Sequence, residues 1–246
     1  MFSRMNKKTD DSRGPRIYVL AAHPHWRDSR VNRQLMQVAR ALPDANIEVN
    51  DLYGSYPDYA IDIDAEKARA AKADLIVLLH PIQWYSMPPL QKLWFDEVLA
   101  WGWAYGPGGE ALRGKDCWLV ATTGGPESSY HPQSYNRYFF DAFIPPYEQT
   151  ATLCGMRFLP PLLFHGARSA ALDDLTAHVE VFRQRLASYP NWPELEQLDA
   201  CPTCVVPETD RPVEADDFAK VQAAVFKGAL TDALARSNAS SDTQAA

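Results

Sequence analysis

The sequence predicts an α/β fold: a five-stranded parallel sheet in strand order 2-1-3-4-5, with helices on both faces as a three-layer sandwich. Short unbroken aliphatic runs, such as Leu75-Ile76-Val77-Leu78-Leu79, suit strands buried on both faces, as in a parallel sheet. Segments with apolar residues at helical spacing alternate with these runs, which is the pattern of βα units joined by right-handed crossovers. Five such units fit between Arg16 and Tyr189, too few for an eight-unit βα barrel.

Taken in order, residues 1–14 are polar, with no apolar period, and read as a loose tail before a domain spanning residues 15–190. Ile17 to Ala22 makes the first strand, and a loop of histidines and charges, His23 to Asp28, follows it. Ser29 is placed to cap a helix whose stripe is Val31, Leu35, Val38, Ala39 and Leu42. Pro43-Asp44 ends that helix. Ile47 to Asp51 gives a second strand, Tyr53 to Asp62 a long loop, and Asp64 to Lys72 a short helix. The third strand, Leu75 to Leu79, runs into His80-Pro-Ile-Gln-Trp-Tyr-Ser-Met-Pro-Pro89, and Pro89 to Ala100 reads as a helix because proline suits the first helical turn.

Beyond a loop rich in Trp, Tyr and Gly (Trp101 to Gly109), Cys117 to Ala121 forms the fourth strand, capped by Thr122-Thr123-Gly124-Gly125. Pro132 to Cys154 reads as helix in two pieces split at Pro145-Pro146. Phe158 to Phe164 is the fifth strand, placed at an edge or bulge because Pro160 and Pro161 lack ladder donors. Leu172, Leu175, Val179, Phe182 and Leu186 mark the last helix of the domain. Residues 191–246 read as an extension with one amphipathic helix, carrying Phe218, Val221, Val225 and Ala229, and a disordered polar end.

Composition narrows the function classes. A formal charge of −7 provides no basic field for a phosphate backbone, so nucleic acid is not an expected partner. No apolar run approaches the roughly 20 residues of a membrane span, and Met1 to Pro15 lack the apolar block of a signal peptide, so a cytoplasmic protein is expected. Cys117 and Cys154 fall where small buried apolar residues belong. Cys201-Pro-Thr-Cys204 has redox or zinc spacing but no second pair, so it reads as two free thiols and no metal site is expected.

In strand order 2-1-3-4-5 the loops after strands one, three and four share one crevice. Ser29, Arg30, Val31 and Asn32 at a helix start offer backbone N–H groups to a phosphate, although Ser and Asn there also serve as ordinary caps. Gln83, Trp84 and Tyr85 suit the face and edge of a flat aromatic ligand, although a tryptophan such as Trp84, taken alone, is more often a core residue. Gly124 and Gly125 permit close backbone approach.

Together, Ala22-His-Pro24, Ser29 to Asn32, His80 to Pro89, Leu93-Trp-Phe-Asp96, Gly102-Trp-Ala-Tyr-Gly106 and Thr122 to Gly125 resemble the flavodoxin-like NAD(P)H:quinone oxidoreductases. Among these the sequence is most similar to the Kef-type ancillary proteins of glutathione-regulated potassium efflux systems. The resemblance covers Arg16 to Tyr189. It implies non-covalent FMN, with NADH or NADPH as hydride donor and a quinone as two-electron acceptor in alternation. It also implies a homodimer with the site at the subunit interface, and gives the aromatic loop Trp101, Trp103 and Tyr105 an interface role. His23 and Ser29 to Asn32 would then hold the phosphate and ribityl chain, and Ile82 to Tyr85 with Thr123, Gly124, Gly125 and Pro126 would border the isoalloxazine. Pro126 has no N–H and removes one backbone donor from that border.

Tyr130, His131 and Tyr135, in the loop after strand four, are the candidate proton donors, and histidine needs the smallest shift to act near neutral pH. The alternative function is a regulatory flavoprotein that docks on a potassium efflux transporter at the inner face of the membrane, with catalysis secondary. A flavodoxin electron carrier fits less well, because the first loop lacks a Thr- and Ser-rich phosphate cradle.

Overall fold

The computed structural model describes residues 14–43 and 46–196. The expected tail, the helix around Phe218 and the Cys201/Cys204 pair lie outside the described residues. Strands β1 (Arg16–Ala21), β2 (Asn46–Asp51), β3 (Leu75–Pro81), β4 (Asp116–Thr122) and β5 (Arg157–Phe164) form one parallel sheet in order β2-β1-β3-β4-β5. Successive residues of the central strands alternate between two cores, as the two-residue strand period requires. Ile17, Val19, Leu75 and Val77 meet α1 (Val31–Ala41) and α6 (Leu172–Ser188). Tyr18, Leu20, Ile76 and Leu78 meet α2 (Leu52–Ser55), α3 (Ile63–Lys72), α4 (Pro89–Val98) and α5 (Pro145–Leu153). As its prolines lead one to expect, β5 is an edge strand, with a register shift opposite Trp118 and Val120.

Several expectations are corrected. Leu52–Ser55 is one helical turn rather than loop, because the Asp51 carboxylate accepts from the Gly54 N–H at 3.2 Å. Within Pro132 to Cys154, α5 is the only α-helix. The first piece reduces to turns and one 3₁₀ turn at Phe140–Phe143, since Arg137, at φ 61°, cannot continue a right-handed helix. α4 ends at Val98. β3 runs on to pair His80 with Ala121 and Pro81 with Thr122, so His80 is a fully buried strand residue and the loop begins after it. Of that loop's aromatic residues only Trp101 is exposed, while Trp103 and Tyr105 pack against the core.

Trp192 and Leu195, beyond α6, are buried in the α1/α6 core. On the opposite face Glu66 of α3 is wholly buried. Its carboxylate accepts from Tyr18 (2.5 Å), Tyr56 (2.6 Å), Asn50 (2.8 Å), Trp94 (2.8 Å) and Arg69 (2.6 Å). A buried charge is tolerable only when so fully bonded, and this one ties β1 and β2 to α4, the helix launched from the third-strand loop.

Candidate functional site

The loops after β1, β3 and β4 meet at the carboxyl edge of the sheet. In the first, a 3₁₀ turn (Trp26–Asp28) is pinned by Trp26 Nε1 donating to Asp51 at 2.8 Å. Ser29 Oγ accepts from the Arg33 N–H at 3.1 Å, so it closes the first turn from one residue before the N-cap position, Arg30, and the leading N–H groups of α1 have no intrahelical partner. Asn32 is buried. Its Nδ2 donates to Thr122 Oγ1 at 2.9 Å, joining this loop to β4, while its Oδ1 is buried with no partner. Val31 puts its side chain in the core, so only its backbone is available to a ligand. Half-buried His23 accepts at Nδ1 from the His25 N–H (3.0 Å), and burial lowers its pKa, with the charges of Asp28 and Asp51 opposing.

The second loop is a two-residue hairpin. Ile82 N donates to Thr122 O at 2.7 Å, and Gln83 and Ser86 exchange N–H···O bonds of 2.8 and 3.0 Å. Between them Trp84 (φ 48°) and Tyr85 (φ 65°) both occupy the left-handed region, a conformation that tight hairpins normally give to Asn and Gly. Trp84 is 93% exposed. Tyr85 stacks on Phe143, with ring centroids 5.2 Å apart, and its hydroxyl donates to Asn136 Oδ1 at 3.1 Å. An indole held in solvent by a strained backbone contributes nothing to the core, so its environment points to a ligand or partner.

In the third loop Thr123 Oγ1 donates to Gly125 O at 2.7 Å, and Gly166 N donates to the same carbonyl at 2.8 Å. A Cβ on Gly125 would lie 2.8 Å from the Tyr135 hydroxyl and 2.9 Å from Ser129 Oγ, so any larger residue there would displace these two side chains from the turn. Ser129 Oγ in turn donates to Pro126 O at 2.7 Å and accepts from Asn136 Nδ2 at 3.0 Å.

The structure therefore gathers Tyr85, Tyr130 and Tyr135 about the Gly125 turn. The Tyr130 pKa is raised, first by burial and further by Tyr135 and Tyr85, against a lowering contact with Thr123. His131 is placed differently. It is exposed, meets Phe139 edge-on at 5.0 Å and accepts at Nδ1 from the Gln133 N–H at 3.3 Å.

The histidine at the turn is His165, which sequence reasoning missed. Its Nδ1 lies 3.0 Å from Thr123 Oγ1, and its ring is 5.5 Å from that of Tyr130 and 5.0 Å from that of Phe140. Because the Thr123 hydroxyl spends its proton on Gly125 O, the network assigns Nδ1–H of His165 as donor and leaves Nε2 with the lone pair. Burial lowers the His165 pKa, with Glu127 opposing. The available signal was a His-Gly pair directly after the strand that neighbours β4. Among the described residues no group of three or more His, Cys, Asp or Glu is arranged to hold a metal.

The sequence profile described as flavodoxin-like fold matches residues 15–186. The chain belongs to the flavodoxin-like family. The ancillary protein KefF of the glutathione-regulated potassium-efflux system of Klebsiella pneumoniae (strain 342) is 42% identical over 181 residues, 74% of this chain and 98% of KefF. Among solved structures, general stress protein 14 of Treponema denticola in complex with FMN is 32% identical with TM-score 0.65, over 71% of this chain and 99% of that one. A thermophilic tryptophan halogenase from Streptomycin violaceusniger is 38% identical with the same TM-score, over 69% and 97%. An NADPH-quinone reductase of P. pentosaceus shares the fold at 22% identity and TM-score 0.62, over 69% and 96%. Names as different as these on one fold mean that activity must be argued from the site.

The site of this family member fits FMN on its own geometry. Asn32 Oδ1 is an orphaned buried acceptor in the first turn of α1, whose leading N–H groups have no intrahelical partner, and Trp84 and Tyr85 provide exposed aromatic surface on the neighbouring loop.

Proposed function

We propose that this chain is an FMN-dependent oxidoreductase that moves two electrons from NADH or NADPH to a quinone, donor and acceptor occupying one pocket in turn. The observation that carries the proposal is the junction of three loops at one turn: Asn32 bonded to Thr122, Ile82 bonded to Thr122, and Thr123 bonded to Gly125. When bound there, FMN supplies the hydride chemistry and the protein supplies placement. The first turn of α1 and His23 would hold the phosphate and ribityl chain. Ile82 to Tyr85 and Thr123 to Pro126 would border the ring, with Arg30 bracing the wall.

A quinone that gains two electrons also needs protons. In this reading the Tyr135 hydroxyl beside Gly125 and the Tyr130 hydroxyl beside Thr123 would hold one, and His165 would orient the turn through Thr123. His131 is then a rim residue. The chain acts as a homodimer whose partner covers the exposed aromatic rim and completes the pocket.

The spectrum of purified protein tests this reading. Absorbance with flavin maxima, and NAD(P)H oxidation that depends on added quinone, are the expected results. Colourless protein that stays inactive with added FMN would remove the enzymatic reading.

The 42% identity to KefF favours a second role on the same surface, as the ancillary subunit of a potassium efflux transporter docked at the cytoplasmic face of the membrane. No helix among the described residues is long and apolar enough to cross a membrane, so attachment would run through the partner. Co-purification with a transporter, and gating that survives loss of FMN, would make docking the primary function.

A further inference from the structure

The segment 165–171, between β5 and α6, forms a fourth wall of the site. Gly166 N donates to Gly125 O at 2.8 Å and Ala167 N to Thr123 O at 2.9 Å, while Ser169 N closes a turn on Gly166 O at 3.0 Å. From the opposite side the Arg30 guanidinium reaches across from the first loop and donates to Arg168 O (3.1 Å) and Ala170 O (3.0 Å). The segment is thus held to the glycine turn through Gly166 and Ala167 and to the first loop through Arg168 O and Ala170 O.

Its side chain lies over Gly124. A Cβ built on Gly124 would stand 3.3 Å from Arg168 Nε and 3.7 Å from Cζ, so the missing side chain is what admits the guanidinium. No carboxylate forms an ion pair with Arg168 among the described residues. Glu127, on the same rim, acts on His165, and Asp173 and Asp174 lie in the first turn of α6. Arg168 shares its exposure and its lack of a carboxylate partner with Arg27, Arg33, Arg40 and Arg137; what sets it apart is a backbone fixed by Arg30 and a guanidinium held over Gly124.

We infer that Arg168 is a specificity-determining residue that recognises an oxyanion carried on the periphery of the ligand entering over the Gly124–Gly125 turn. This rests on the functional reading above and sharpens it. A planar guanidinium bonds phosphate, sulfonate or carboxylate through paired N–H groups, which a lysine at the same point would not reproduce. In the proposed reaction the oxyanion has two sources: the 2′-phosphate that distinguishes NADPH from NADH, or an acidic substituent on the acceptor.

The test compares wild type with Arg168→Gln and Arg168→Lys in steady state, using NADPH and NADH against menadione, then naphthoquinone-2-sulfonate and menadione with one donor. One charge-assisted hydrogen bond corresponds to about a tenfold change. If Arg168→Gln lowers the NADPH:NADH ratio of kcat/KM about tenfold, the anion is the 2′-phosphate. If it lowers the sulfonate:menadione ratio instead, the anion belongs to the acceptor. Either result supports the inference, with Arg168→Lys recovering only part of the loss.

Both ratios unchanged would overturn it. An equal loss for all ligands, with weaker FMN binding or a lower unfolding midpoint, would also overturn it by assigning Arg168 to the cofactor or the fold. Calorimetric titration of adenosine 2′,5′-bisphosphate against AMP, and of naphthoquinone-2-sulfonate, provides a readout independent of turnover. If wild type carries no FMN and oxidises neither donor, the functional reading fails, and these titrations still decide whether Arg168 binds an oxyanion.

Discussion

His80 shows how a single side chain couples this fold to pH. It is fully buried beside the site, stacked on Tyr147 at 5.5 Å, with Nδ1 on Pro81 O at 3.0 Å and Nε2 unpartnered. Burial lowers its pKa from 6.5 to about 4, the Pro81 bond opposing. Because the folded value is depressed, the unfolded chain binds the proton first, and stability falls as pH drops from about 6.5 towards 4, by on the order of 3 kcal/mol. His178, lowered to about 4 by burial, acts in the same direction and window. The His80→Phe variant keeps the stacking and removes the titration, so urea unfolding at pH 7 and pH 4.5 should show a loss smaller by about 2 kcal/mol than in wild type. Equal losses in both proteins would sink the assignment.

At Thr123 a complementary outcome is expected. Thr123→Val leaves the His165 Nδ1–H and one acceptor site of Gly125 O without that partner, costing about 1–3 kcal/mol of stability and weakening FMN binding. Chemical denaturation and flavin fluorescence titration measure the two effects.

The element that departs furthest from its preferred sequence is the Gln83–Ser86 hairpin. Its two central positions are left-handed yet carry Trp84 and Tyr85, which stores on the order of 1 kcal/mol or more at each. Trp84 buries almost nothing in return. Trp84→Asn should therefore raise stability by about 0.5–1 kcal/mol, read as a shift in Tm of a few degrees, while FMN binding or turnover declines. A variant that loses stability instead would show that the indole packs on something in solution.

Local pattern explains which elements were legible. β1, β3 and β4 are legible because unbroken apolar runs have few other uses, β2 through the alternation of Ile47 and Val49 with polar residues, and α1 and α6 because their stripes are continuous. The segment after Tyr130 misled because its aromatics, Tyr138, Phe139, Phe140 and Phe143, contact one another and His131 or His165 rather than forming a helical stripe on the sheet. His165 and Arg168 escaped notice because their roles depend on β5 lying beside β4, a relation that no local spacing encodes.

For the molecule as a whole, the surface beside the site is unusually aromatic. Tyr85, Tyr130, Tyr138 and Phe140 all pack around Phe143, and from this cluster Tyr85, Tyr138 and the neighbouring Tyr135 and Phe139 extend into solvent together with Trp84. A contiguous aromatic patch of this kind is costly to leave wet and is characteristic of the centre of an interface. Next to it a groove of about 230 Å³ between α4 and α5, lined by Met87, Phe95 and Tyr105, continues the apolar surface.

If a second copy covers this patch, sedimentation equilibrium should give a dimer at micromolar concentration. Tyr138→Glu with Phe139→Glu should shift it towards monomer, since burying two carboxylates against aromatic rings is unfavourable by several kcal/mol. The substituted residues lie outside the hydrogen-bonded loops that would hold FMN, so the monomer separates two ideas. Monomer with FMN but little turnover would mean that the partner completes the substrate pocket. Monomer with full turnover would mean that one chain suffices and that the patch serves another protein. A chain that is monomeric before any substitution would exclude the dimer and leave the aromatic rim to a different partner.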